Sequence, residues 1–318
     1  MFDFIGKRKY FFVISALVIL AGIIGFIARG GFVLDIQFQG GAMIEMEMKD
    51  DNYQAKDVEK ALAGVVKKEI HAQKSYDLNA EKNNERINLL VVTVATADKL
   101  SEEERTAIVD TIEKNFNVKE GGQFTERYVH PSIGNELRAK GVLAVLIASV
   151  LMLLYIWIRF NIMSGLFAGV TAVIALIHDA AVMLSVYTIL GIPLDESFIA
   201  AVLTILGYSM NDTIVIYDRI RENSRISRKD TIAGLVNKSI IQSLSRSINT
   251  VATTLVCVLT IYLFASYNGI ESIKQFTMPL LVGLASGTYS SIFIASPLWV
   301  MWKESQARKK TAGKAVKA

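Results

Sequence analysis

The sequence predicts a polytopic α-helical membrane protein with six transmembrane helices and an extracytoplasmic α+β domain between the first two. Three observations carry this reading. Hydrophobic residues make up 52% of the 318 residues against 20% charged. They gather in blocks rather than spreading at helix or strand period. Each block is long enough to cross a hydrocarbon layer roughly 30 Å thick.

The blocks cover residues 10–28, 141–158, 162–190, 198–217, 240–265 and 277–302. Four segments follow: 1–30, an N-terminal stretch with the first helix; 31–137, the inserted domain; 138–302, a five-helix bundle; and 303–318, a basic tail. Lys7-Arg8-Lys9 before the first block imitates a secretory signal, but no A-x-A-like cleavage site follows. The block therefore reads as a retained anchor. The single cysteine, Cys257, excludes an intrachain disulfide.

Basic residues set the expected orientation. Lys7–Lys9, Arg159, the group Arg219, Arg221, Arg225, Arg228 and Lys229, and finally Arg308–Lys310 all fall on one side of the alternating spans. By the positive-inside rule that side is cytoplasmic, with both termini on it. The insert agrees: from Asp35 to Arg138 there are 14 basic and 20 acidic residues, a net of −6, leaving +10 for the rest. The overall +4 is thus a topology signal and no pointer to nucleic acid.

The insert reads β-α-β-β-α-β. Residues 42–48 alternate Met and Ile with Glu, 55–66 have helical spacing, 75–78 and 87–94 are strand-like, 100–116 form an amphipathic helix, and 123–129 close the set. That order implies a ferredoxin-like sandwich. Ser101 and Glu104 have the spacing of a capping box. Asn83 lies in a polar loop expected to be exposed. His71 and His130 read as surface histidines, and no catalytic, cofactor-binding or metal-spaced set is present.

Chemistry is expected inside the spans. Gly207-Tyr-Ser-Met-Asn-Asp212 places a carboxylate in the fourth, and Arg246 stands in the fifth among Ser243–Thr250. Ionisable groups there cost at least ~2.5–3.5 kcal/mol on insertion scales and usually serve transport. Asp212 is six residues from Asp218 at the span edge, about 9 Å deep, and Arg246 lies about 12 Å in from Lys238. An ion pair between helices is geometrically reasonable. Proton affinity at the carboxylate would then depend on burial and on the distance to the guanidinium. The bland alternative is a static cluster in which Asn211, Ser209, Ser245 and Asn249 satisfy one another.

His178-Asp179 forms a second polar island, either a proton relay or cation station, or one buried hydrogen-bonded dyad. Gly165-x-x-x-Gly169 and Gly283-x-x-x-Gly287 read as helix-packing faces. Ser286-Gly-Thr-Tyr-Ser-Ser291 either lines a wet path or hydrogen-bonds across helices, the latter being favoured for most of its hydroxyls. The basic loop between spans four and five reads as a topology signal in contact with anionic lipid.

These motifs in this order resemble the SecF subunits of the bacterial SecDF protein-export complex, relatives of the resistance-nodulation-division transporters. The resemblance covers about residues 2–302. It rests on Phe4-Ile-Gly-Lys-Arg-Lys9, Gly40-Gly41, Pro131-Ser-Ile-Gly134, Tyr155–Phe160, His178-Asp179, Gly207–Asn223, Arg246–Thr250 and Ser286–Pro297. It implies a subunit of the bacterial cytoplasmic membrane that pairs with a SecD-like half and adjoins a SecY-type channel. It also implies that proton or sodium flow draws preproteins outward, with Asp212 and Arg246 as the ion-coupling residues. His178, Asp179, Asn211 and Ser209 are the possible relay. Two positions depart from the family pattern: Gln37 stands where Asp is common, and Gln275 where an acid is common. Rival readings are a small-molecule exporter subunit, a passive assembly scaffold, and an intramembrane aspartyl protease using Asp179 and Asp212.

Overall fold

The computed structural model describes residues 3–66, 68, 70–77, 87–96, 99–161, 164–226 and 230–315. Leu78, at the end of the strand expected over 75–78, and Asn83 lie outside these residues. Six helical segments among them are long and apolar enough to span a membrane. They are α1 (Arg8–Arg29), α5 (Pro131–Arg159), α6 (Gly165–Leu190), α7 (Glu196–Ile226), α8 (Ile232–Asn268) and the stretch formed by α9 (Glu271–Ser290) and α10 (Ser296–Ala315).

The helices outrun the apolar blocks because polar residues continue the backbone hydrogen bonding beyond the lipid. Helix α5 begins ten residues earlier than its block, with Pro131 in its first turn and the His130 ring accepting from the Ser132 N–H. The long third block becomes a 26-residue helix, because Ser164 at φ 66° separates it from what precedes. Gly191 ends that helix in the left-handed conformation at φ 69°, its N–H bonded to the Tyr187 carbonyl.

The sixth span is not one regular α-helix. Residues Ser291–Ala295 form a π-helical turn between α9 and α10. Pro297 follows at once and has no N–H to return to the previous turn, so the ladder changes register there.

The insert begins with the short helix α2 (Ile36–Gln39), then β1 (Gly41–Met48), α3 (Ala55–Ala63), β2 (Ile70–Asp77), β3 (Ile87–Ala95), α4 (Glu102–Asn115) and β4 (Phe124–Val129). The strands form one antiparallel sheet in the order β2-β3-β1-β4, the ferredoxin-like arrangement. Strand β2 is longer than its sequence pattern predicts. His71, Gln73 and Lys74 hide the alternation on an edge strand, yet Ile70 to Asp77 pair with β3 along its whole length. Ile44, Val58, Leu62, Leu90, Ile108 and Ile112 lie fully buried between the sheet and its two helices. Each buried aliphatic side chain contributes about 1.5–3 kcal/mol. Ser101 accepts from the Glu104 N–H while Glu104 accepts from the Ser101 N–H, so the capping box is present.

Insert and bundle meet through two glycine motifs. Gly40 has φ 83°, and a Cβ there would come within 2.7 Å of Pro131. A Cβ on Gly134 would stand 2.7 Å from the Phe38 carbonyl carbon. Alongside, Asp35 N–H donates to the Leu194 carbonyl and Leu194 N–H to Val33, each at 2.9 Å. This stitches the segment after α1 to the segment before α7.

Candidate functional site: the hydroxyl-lined carboxylates

Helices α6, α7 and α9 pack closely because small residues line their contacts. A Cβ on Gly283 would meet Ile205 at 2.5 Å, and one on Gly287 would meet Ser209 at 2.8 Å. Gly169 likewise backs onto the Leu153 carbonyl of α5 at 3.1 Å. Both glycine patterns are packing faces, as their spacing predicts. The close approach brings side chains from three helices onto one buried carboxylate.

Asp179, on α6, is fully buried. Its Oδ2 accepts from Ser209 Oγ at 2.7 Å and from Ser290 Oγ at 2.8 Å, and its Oδ1 from Ser286 Oγ at 2.7 Å. His178 Nδ1 stands 3.3 Å from Oδ1. The other ring nitrogen, Nε2, is 3.0 Å from Ser15 Oγ on α1. Ser15 in turn donates to the Tyr289 hydroxyl at 3.2 Å, and Tyr289 donates to the Phe11 carbonyl at 2.7 Å. A polar chain thus runs from the carboxylate across α1. Burying a carboxylate is costly unless its lone pairs are used, and the three hydroxyls occupy three of about four.

Asp212 lies three residues beyond Ser209 on α7 and is 3% exposed. Its Oδ2 accepts from Thr288 Oγ1 at 3.0 Å. The expected direct ion pair is not formed within this chain. Arg246 is exposed on α8 and forms no ion pair with Asp212. The reason is packing: α7 turns Asp212 toward α9, while Arg246 shares the outer face of α8 with Asn249 and Thr253. Asn211 is also exposed and takes no part in the Asp179 cluster.

Sequence reasoning singled out His178, Asp179 and Ser209, and the structure brings these three together. It passed over Ser15 and the division of labour along α9. Ser286 and Ser290, four apart, face Asp179; Thr288 faces Asp212; Ser291 Oγ lies 2.7 Å from Thr213 Oγ1. The signal was the hydroxyl run itself, whose cross-helix bonding was expected but whose targets were not assigned. A lone serine in the apolar first span carried no comparable signal.

At the insert end of the bundle, Asp195 caps α7, its Oδ1 accepting from the Phe198 N–H at 2.9 Å. Burial, with the nearby Asp35 charge adding to it, pushes the Asp195 carboxyl up to about 6 despite that hydrogen bond. Asp35 is raised as well, chiefly by burial. Gln37 extends its Oε1 to accept from the Glu196 N–H at 3.3 Å.

Fold and site together define a six-span membrane protein with hydroxyl-lined carboxylates between its helices and a ferredoxin-like insert after its first span. Residues 108–305 match the family described as protein export membrane protein SecD/SecF, C-terminal. The chain belongs to the SecD/SecF family. It is 37% identical over 318 residues to the protein translocase subunit SecF of Alicyclobacillus acidocaldarius, covering 98% of this chain and 96% of that one. It is 36% identical to the protein translocase subunit SecDF of Bacillus subtilis, where the match takes 98% of this chain and 39% of the longer one. The crystal structure of SecDF from Thermus thermophilus superposes with a TM-score of 0.75 at 33% identity, covering 95% of this chain and 39% of that one. The chain therefore spans about two fifths of the SecDF proteins it matches.

Proposed function

We propose that this chain is a translocase subunit that couples proton or sodium motive force to preprotein export across the bacterial cytoplasmic membrane. The observation that carries the reading is the pair of buried carboxylates on adjacent helices, each held by hydroxyls of α9. Hydroxyl hydrogen bonds are individually modest and can be exchanged for a proton or a cation at low cost. A change of charge at Asp212 or Asp179 would therefore bias how α6, α7 and α9 sit against one another. Helix α7 is capped by Asp195, next to the Val33–Asp35 segment that leads into the insert. Movement of α7 thereby has a backbone route to the insert, which faces outside in this reading. Asp212 and Arg246 act as the ion-coupling residues, with His178, Asp179 and Ser209 as the relay.

A second half is required. Arg246, Asn249 and Thr253 are exposed on α8 within a span, and polar groups left to lipid are expensive. A SecD-like half would cover them, with a SecY-type channel and the preprotein as further partners. The chemistry is non-enzymatic. Asp179 and Asp212 each have their own hydroxyl set and do not share a proton as a protease dyad would. A small-molecule exporter would want an apolar pocket in the insert. An apolar cavity of about 520 Å³ lies where the spans meet the start of the insert, lined by Phe26, Phe38, Leu146, Leu184 and Phe198 among others.

The test is Asp212→Asn in cells dependent on this chain. Secretion stimulation should be lost while expression and complex assembly persist. Full secretion activity would instead establish the scaffold reading.

A further inference from the structure

We propose that Asp179 with Ser209, Ser286 and Ser290 forms a binding site for a dehydrated sodium ion, separate from the Asp212 carboxylate. The donor set is the argument. Two carboxylate oxygens and three hydroxyl oxygens converge from three helices, with every hydroxyl within 2.8 Å of the carboxylate. All are oxygen donors, suited to a hard cation. One carboxylate balances one positive charge, which selects a monovalent ion over calcium or magnesium. Five oxygens drawn together by glycine-tight packing suit sodium better than the larger potassium ion.

The hydroxyls have somewhere to turn. Each hydroxyl donates to Asp179; on binding, each must present a lone pair to the ion and send its proton elsewhere. Ser290 Oγ already lies 3.1 Å from the Gly287 carbonyl. Ser286, inside α9, has the carbonyl one turn earlier available in the same way. Immediately beyond Ser290 the helix changes to its π-helical turn, and Ser291 Oγ crosses to the Ser209 carbonyl at 3.2 Å. Irregular backbone beside a buried carboxylate is how membrane transporters build cation sites. A cavity of about 300 Å³ between α1, α6 and α9 reaches the cluster at Ser286, His178 and Ser15, its remaining walls being aliphatic apart from Tyr289.

Few charged groups face the site. Helix α6 contributes His178, α7 contributes Asp212 one turn away, and α1 carries none between Lys9 and Arg29. Arg246 on α8 is exposed, and α9 has no charged residue between Lys274 and the π-helical turn. His178 is thus the nearest cationic candidate for Asp179, at 3.3 Å.

Binding of radioactive sodium to the purified full chain, in the complex it forms, tests this directly. One saturable site per chain is expected, displaced by unlabelled sodium but not by potassium or choline at the same concentration. Ser286→Ala and Ser290→Ala should each weaken binding on the order of 10-fold, the loss of one hydrogen-bond-strength contact to a charged group, and Asp179→Asn should abolish it. If Asp179→Asn fails to fold, the serine variants decide, their folding checked by thermal midpoint in choline chloride. No saturable binding, or binding indifferent to both serines, overturns the site. A role for the ion in export rests on the function proposed above. Binding is read without export, so a null result here leaves Asp212-dependent export standing. Conversely, an Asp212→Asn chain that exports normally leaves the sodium site standing.

Discussion

Asp179 on α6 and Asp212 on α7 are both held by the same helix: Ser286 and Ser290 donate to the first and Thr288 to the second. Ser286 and Ser290 share one face of α9, and Thr288, about 160° round the helix from each, stands on nearly the opposite one. A relative shift of α9 changes both at once. This makes α9, rather than any single acid, the element through which ionic changes would reach the rest of the bundle.

Arg246→Lys should impair secretion stimulation although the charge is retained. The guanidinium offers a planar fork of donors from an exposed position, and an ammonium does not. Secretion assays on matched membranes check this; activity equal to the parent chain would remove Arg246 from the coupling machinery.

A cysteine introduced at Glu103, exposed on α4, should react with an impermeant maleimide added outside intact spheroplasts, in a Cys257→Ser background. Labelling only after lysis would reverse the orientation and end the export reading.

Asp195 should make stability fall as pH rises. Its folded-state carboxyl sits at about 6, above the ordinary 3.8, so the folded chain holds a proton that the unfolded chain has released. That contribution is complete below the unfolded value and lost as pH climbs from about 4 through about 6. Its size is on the order of 2–3 kcal/mol. Against Asp195→Asn, which keeps a capping side chain, the thermal midpoint of the parent chain should drop across this window. Parallel midpoints at all pH values would contradict the burial argument.

Ser101→Ala should cost about 1 kcal/mol by removing one arm of the capping box. Hydrogen exchange in the intact chain should quicken at the first turn of α4, with the spans unchanged.

Gly287→Leu should separate α9 from α7, because even a Cβ would approach Ser209 to 2.8 Å. Overpacking of this kind costs about 1–3 kcal/mol. Lower thermal stability and lost secretion stimulation are expected together, and an unaltered midpoint would mean the helices are not packed as described.

Sequence alone determined the six spans, since apolar blocks of that length have no other place in a folded chain. It also determined the ferredoxin-like order of the insert, because alternation and helical period mark each element in turn. The glycine faces were legible from their spacing. Tertiary structure alone decided which hydroxyl serves which acid. Ser15, Ser209 and Ser290 are far apart in the chain, and only helix rotation and depth bring them to His178 and Asp179. It decided, too, that Asp212 turns to Thr288 and makes no contact with Arg246. Depth counted along two helices gives comparable heights but no azimuth, and contact requires both. The π-helical turn was equally hidden. A proline in a span predicts a disturbed ladder, but whether the helix kinks or changes register depends on the neighbours that receive the freed groups.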